Sequence, residues 1–192
     1  ATVPRLPWRS RTAWLLVAIF ALMALAYYGL NAWLPDAYLE NGWTEAEAGV
    51  LGATMNLPAI PASFVIPWLS DRSGRRNPFL LGLSGLFITG AAVLVAAPDL
   101  AYAGALLAGI AQGGMFSLVM TLPLDFERTP KRVGALVAMM LGLGYTIGAT
   151  SPFLLGAIRD ATGSFDAVLW AAVGFLIAQF FAVLALTRRR PS

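Results

Sequence analysis

Trp68-Leu69-Ser70-Asp71-Arg72-Ser73-Gly74-Arg75-Arg76 is a polar interruption in an otherwise apolar sequence. An acid, a turn glycine and a group of arginines are crowded together, and long runs without Asp, Glu, Lys or Arg lie on both sides. Such a stretch reads as a short polar hinge between two membrane helices. It also carries more chemistry than a connector needs, which marks Asp71, Arg72, Gly74, Arg75 and Arg76 as a candidate gate.

Working outward, the segments 13–34, 48–70, 78–97, 100–124, 133–158 and 167–187 contain no Asp, Glu, Lys or Arg. Each reaches the roughly 20 residues that cross a hydrocarbon core of about 30 Å. The pattern predicts an all-α integral membrane protein with transmembrane helices near 13–34, 46–70, 78–97, 100–124, 133–158 and 166–187. Residues 12–187 form the six-helix unit. Residues 1–11 read as the end of a cytoplasmic linker, which suggests a piece of something longer, and 188–192 read as a basic cytoplasmic tail. The composition agrees: 58% of residues are hydrophobic and 12% charged, with a mean hydropathy of +0.72, where soluble domains average about 25% charged.

Of the 13 basic residues, Arg5, Arg9 and Arg11 precede the first helix and Arg72, Arg75 and Arg76 follow the second. Arg128, Lys131 and Arg132 follow the fourth, and Arg188, Arg189 and Arg190 end the chain. Only Arg159 falls on the opposite side. The positive-inside rule then places both termini in the cytoplasm, with the inner membrane as the expected location. The pI near 9.7 therefore reflects topology, and no nucleic-acid partner is expected. The chain has no cysteine and no histidine, which removes disulfides, thiol chemistry, His-based metal sites and His general bases. No cofactor, metal or enzymatic activity is expected.

Within the first helix, Tyr27, Tyr28 and Asn31 share a face, and Pro35 is expected to end it. An asparagine at membrane depth needs a partner, because lipid supplies none. Gluing the bundle and lining a cavity are both open roles for it. Thr44 with Glu47 forms a capping-box pattern for the second helix, where Asn56 falls among small residues and Pro58, Pro61 and Pro67. The third and sixth helices are nearly all apolar and suit lipid-facing support, although Gln179 has no evident role there. In the fourth helix Gln112 and Phe116 share a face. In the fifth, Gly144 and Gly148 form a close-packing pair beside Tyr145.

A shift of 89 residues lays Asp36 on Asp125, Asp71 on Asp160, Ser73 on Thr162 and Gly74 on Gly163. Helices one to three then fall on four to six. Units with an odd number of helices must be inverted relative to one another, which is how many secondary transporters are built.

At this point the hinge resembles the signature loop of the major facilitator superfamily, roughly Gly-x-Leu-x-Asp-Arg-x-Gly-Arg-Arg/Lys. Leu69, Asp71, Arg72, Gly74, Arg75 and Arg76 supply it, while Pro67 stands where the leading glycine belongs, as in the weaker copy of the C-terminal half. Tyr27-Tyr28-Gly29-Leu30-Asn31-Ala32-Trp33-Leu34-Pro35, Gly109-x-x-Gln112-Gly113-Gly114-x-Phe116 and Gly142-x-Gly144-Tyr145 are similar to the cyanate/nitroimidazole permease branch. The resemblance covers about residues 14–186. It implies helices seven to twelve of a twelve-helix transporter: the first and fourth lining a cavity, the second and fifth meeting the other half, the third and sixth facing lipid.

The expected function is half of a secondary-active transporter moving a small polar or anionic organic or inorganic solute by alternating access. Its partners would be the lipid bilayer, the solute, and the missing N-terminal half or a second copy docked as a homodimer. A structural or assembly protein is the alternative. Tyr27, Tyr28, Asn31, Asn56, Gln112 and Tyr145 are the candidate solute-binding residues. No acid or cation in these segments offers proton coupling or anion recognition.

Overall fold

The computed structural model describes residues 6–188. Arg5 of the linker, and Arg189 and Arg190 of the tail, lie outside the described residues. The helices are α1 (Arg11–Glu40), α2 (Glu45–Asn56), α3 (Ala59–Ser73), α4 (Arg76–Ala96), α5 (Ala101–Thr121), the short α6 (Pro123–Phe126), α7 (Pro130–Gly148), α8 (Ser151–Thr162) and α9 (Phe165–Thr187). They join into six segments long and apolar enough to span a bilayer: Arg11–Glu40, Glu45–Ser73, Arg76–Ala96, Pro98–Phe126, Pro130–Thr162 and Phe165–Thr187.

The first span does not stop at Pro35. It continues through the proline to Glu40. Proline removes one backbone donor and crowds the carbonyl four residues earlier, but the last turn is held from outside. Ala37 and Tyr38 are buried, and the Tyr38 hydroxyl donates to the Leu94 carbonyl at 2.7 Å. The polar hinge is also shorter than the sequence suggests. Trp68–Ser73 remain helical, and only Gly74 and Arg75 separate α3 from α4. Gly74 ends α3 in the left-handed region at φ 64°, and Gly163 ends α8 at φ 68°. The two loops matched by the internal shift thus turn in the same way, and at both a side chain other than glycine would be strained.

Two spans are broken at depth. The second bends at Leu57-Pro58 and the fifth at Ala149-Thr150, where the backbone stays in the right-handed helical region but the regular bonding lapses. Pro58 and Pro61 deprive the second span of donors, and Pro152 does the same just after the fifth span's break. Thr44 closes the outer end of α2 by the full capping box with Glu47.

Packing follows the repeat. The third span lies on the fourth as the sixth lies on the first, the second lies on the fourth as the fifth lies on the first, and the third and sixth meet at the back. Small residues set these distances. A Cβ on Gly109 would lie 2.0 Å from the Met55 carbonyl oxygen, and one on Gly113 would lie 2.1 Å from that of Ala59. The fourth span therefore rests directly on the broken backbone of the second. Gly144 and Gly148 do not face outward toward another unit. Added Cβ atoms there would strike Phe20 and Ala24 of the first span, so this glycine pair seats the fifth span inside the bundle.

Each end has a polar clamp. On the side of the arginine groups, Arg76 pairs with Asp125 at 2.6 Å and also donates to Thr121. On the opposite side Arg159 pairs with Glu40 at 3.2 Å and lies over the Phe165 ring. Gln179 is fully enclosed, and neither end of its amide has a partner.

The packing sets expected thermal-unfolding midpoints in detergent. Gly113→Ala overpacks the second span and is expected to cost about 1–3 kcal/mol. Gly85→Ala, whose added carbon meets nothing within 4 Å, should be neutral or stabilise by about 0.5–1 kcal/mol. Gln179→Leu should raise the midpoint, because it removes an unpaired buried amide costing about 1–3 kcal/mol. A lowered midpoint would mean the amide is satisfied after all.

Candidate functional site

Phe20, Ala24, Tyr27, Tyr28 and Asn31 recur at helical spacing along one face of the first span. That face turns toward a groove of about 460 Å³ between the first, second, fourth and fifth spans. Phe20, Met23, Tyr27 and Tyr28 line it from the first span, and Asn56, Ile60 and Ser63 from the second. Gln112, Gly113 and Phe116 line it from the fourth, and Tyr145 from the fifth. The third and sixth spans contribute nothing to its wall. Of the candidate binding residues, Tyr27, Tyr28, Asn56, Gln112 and Tyr145 are brought together here. Asn31 lines a separate, more open recess with Tyr28, Tyr145 and Pro152.

The groove has an aromatic wall and a polar seam. Phe20 meets Tyr145 edge-on with centroids 4.9 Å apart, and Phe20 and Phe116 lie at 6.3 Å. Aromatic pairs at such distances favour tilted or edge-to-face geometry. The seam is a chain of hydrogen bonds. Asn31 Nδ2 donates to the Tyr27 carbonyl at 2.9 Å. Asn56 Nδ2 donates to Asn31 Oδ1 and to the Gly52 carbonyl, each at 2.9 Å. The Tyr27 hydroxyl donates to Asn56 Oδ1 at 2.9 Å. Asn31 thus makes the interhelical bond that its depth allowed, and it also borders the second recess.

Gln112 behaves differently. It is 9% exposed, and its Oε1 is enclosed without a partner. The amide nitrogen is left as the end able to meet the groove. No Asp, Glu, Lys or Arg lines this groove among the described residues. The lining thus offers aromatic faces, phenols and amides that can stack against and hydrogen-bond a solute.

Phe20 and Met23 went unnoticed in the sequence because an apolar residue in a membrane helix carries no signal of its own. Their spacing from Tyr27 on the same face was the available clue. The candidate gate residues lie outside the groove lining, at the arginine-bearing end. Arg72 stacks over Trp68 at 5.7 Å, Gly74 makes the turn, Arg75 precedes α4 and Arg76 forms the clamp with Asp125. Asp71 is exposed near the end of α3.

The family model described as Major Facilitator Superfamily matches residues 16–192. The chain is 32% identical over 154 residues to the cyanate transport protein of Escherichia coli, covering 80% of this chain and 40% of that protein. It is 28% identical over 175 residues to the 2-nitroimidazole transporter of Escherichia coli, covering 90% and 44%. With an uncharacterized transporter of Bacillus subtilis it shares 27% identity over 172 residues, covering 88% and 43%. The chain thus spans less than half the length of these curated relatives.

The seam makes a checkable demand. Asn31→Ala leaves one Asn56 donor unpaired in a place where lipid cannot replace it, and should lower stability by about 1–3 kcal/mol. Thr89→Ala, at an exposed position of the third span, should leave the unfolding midpoint within about 0.5 kcal/mol. Equal effects of the two substitutions would show that the seam contributes nothing.

Proposed function

The chain belongs to the major facilitator superfamily, and from that premise we propose that it forms one half of a secondary-active solute transporter. In this reading the half carries a small polar or anionic solute through the membrane by alternating access and catalyses no reaction. The single observation that supports it most is the groove between the first, second, fourth and fifth spans, aromatic, amide-lined and, among the described residues, free of Asp, Glu, Lys and Arg. Tyr27, Tyr28, Asn56, Gln112 and Tyr145 would contact the solute, with Asn31 holding Asn56 in place. A cyanate transport protein and a 2-nitroimidazole transporter among the relatives favour a compact solute.

The second and fifth spans carry the faces the other half would cover. The first span's apolar window is 67% buried, against 17% for the second and 33% for the fifth. Phe64 and Phe153, at 73% and 81% exposure, stand on those two spans. The missing N-terminal half is the proposed occupant, because the chain covers only about two-fifths of its relatives; a second copy in the same orientation is the rival outcome. Asp71 would then face the start of a partner-half helix, where the dipole favours an anion. By the positive-inside rule the arginine groups favour cytoplasmic termini, and the inner membrane is the location proposed.

Uptake of labelled cyanate or 2-nitroimidazole into proteoliposomes containing the full-length protein tests this reading. Wild type should accumulate at least one of them. Gln112→Ala should cut that uptake by about tenfold, the size of one hydrogen bond made in a buried site. Asp71→Asn should shift the balance of inward- and outward-facing forms. Transport left unchanged by both substitutions would contradict the assigned site and gate.

A further inference from the structure

Resting on the groove as the solute site, we infer that Tyr27 acts as an obligate acceptor in it, so that the half selects an uncharged, flat solute bearing an N–H or O–H donor over an anion. The inference comes from the direction of the seam. A backbone carbonyl can only accept, and the seam is tied to one at each end: Asn31 Nδ2 to the Tyr27 carbonyl, and Asn56 Nδ2 to the Gly52 carbonyl. Neither amide can turn over without losing its anchor. With Asn56 Nδ2 also engaged by Asn31 Oδ1, Asn56 Oδ1 must face Tyr27, and it takes the phenol hydrogen.

Tyr27 Oη thus turns only lone-pair density toward the groove. A solute atom seated against it must bring its own hydrogen. A carboxylate or other donor-free anion meets repulsion there, and no Asp, Glu, Lys or Arg among the described lining residues offsets the loss of its hydration. Gln112 sits across the groove with Oε1 enclosed and unpartnered, so its amide N–H is the end that can meet an acceptor on the same molecule. The Phe20, Phe116 and Tyr145 rings offer faces and edges suited to a planar body. The class that meets all of this is a small neutral heterocycle or amide with a donor and an acceptor on one edge.

Equilibrium binding of pyrazole, 1-methylpyrazole and benzoate to the full-length protein in lipid nanodiscs at pH 7 tests it. The second carries N–CH3 where the first carries N–H. Wild type should bind pyrazole about tenfold tighter than 1-methylpyrazole, and benzoate more weakly than pyrazole. Tyr27→Phe should bring the two pyrazoles within about twofold of one another. Asn56→Leu, which frees the phenol hydrogen to point inward, should narrow the ratio too and serves if Tyr27→Phe does not fold. A wild-type ratio near one, an unchanged ratio in the variants, or tighter binding of benzoate overturns the inference while leaving the groove as a solute site. Binding of none of the probes overturns the groove reading as well.

Discussion

Hydrocarbon offers nothing to hydrogen-bond with, and most of this structure follows from how its polar groups answer that constraint. The Asn31–Asn56–Tyr27 seam is the clearest answer. Two amides and a phenol at membrane depth are linked to one another and to two backbone carbonyls. The same seam joins the first span to the second next to the break at Leu57-Pro58, where a helix with missing bonds would otherwise be poorly held. Gly109 and Gly113 complete the support by letting the fourth span lie against the Met55 and Ala59 carbonyls. The position of the groove is set by these contacts.

What the seam leaves unsatisfied is as informative as what it satisfies. Gln112 lines the groove with its carbonyl oxygen enclosed and unpartnered, so its amide nitrogen is the end that meets the open space. The division of labour among spans has the same logic. The first and fourth are the most enclosed, the third and sixth pack at the back, and the second and fifth keep large apolar side chains such as Phe64 and Phe153 exposed.

The spans themselves were legible in the sequence, because a charge-free apolar run of about twenty residues matches the thickness of a hydrocarbon core. So were the turn at Gly74, its copy at Gly163, the capping box at Thr44 and the meeting of Tyr27, Tyr28, Gln112 and Tyr145. Pro35 misled, since local propensity ends a helix there while the burial of Tyr38 carries it on. Gly144 and Gly148 announced a close contact but not its partner, which is the first span. The direction of each amide was beyond the sequence altogether. It depends on which carbonyl lies within reach once four spans have packed.

The most direct measurement concerns water. The chain contains no cysteine, so a thiol introduced into full-length protein stripped of other cysteines reports only its own surroundings. Ser63→Cys sits on the groove wall, and Phe181→Cys sits on the exposed side of the sixth span. With a hydrophilic maleimide, Ser63→Cys should label readily and Phe181→Cys should not, as a water-filled site beside a lipid-facing one requires. Equal resistance of the two positions would contradict a solute-accessible groove at the centre of this half.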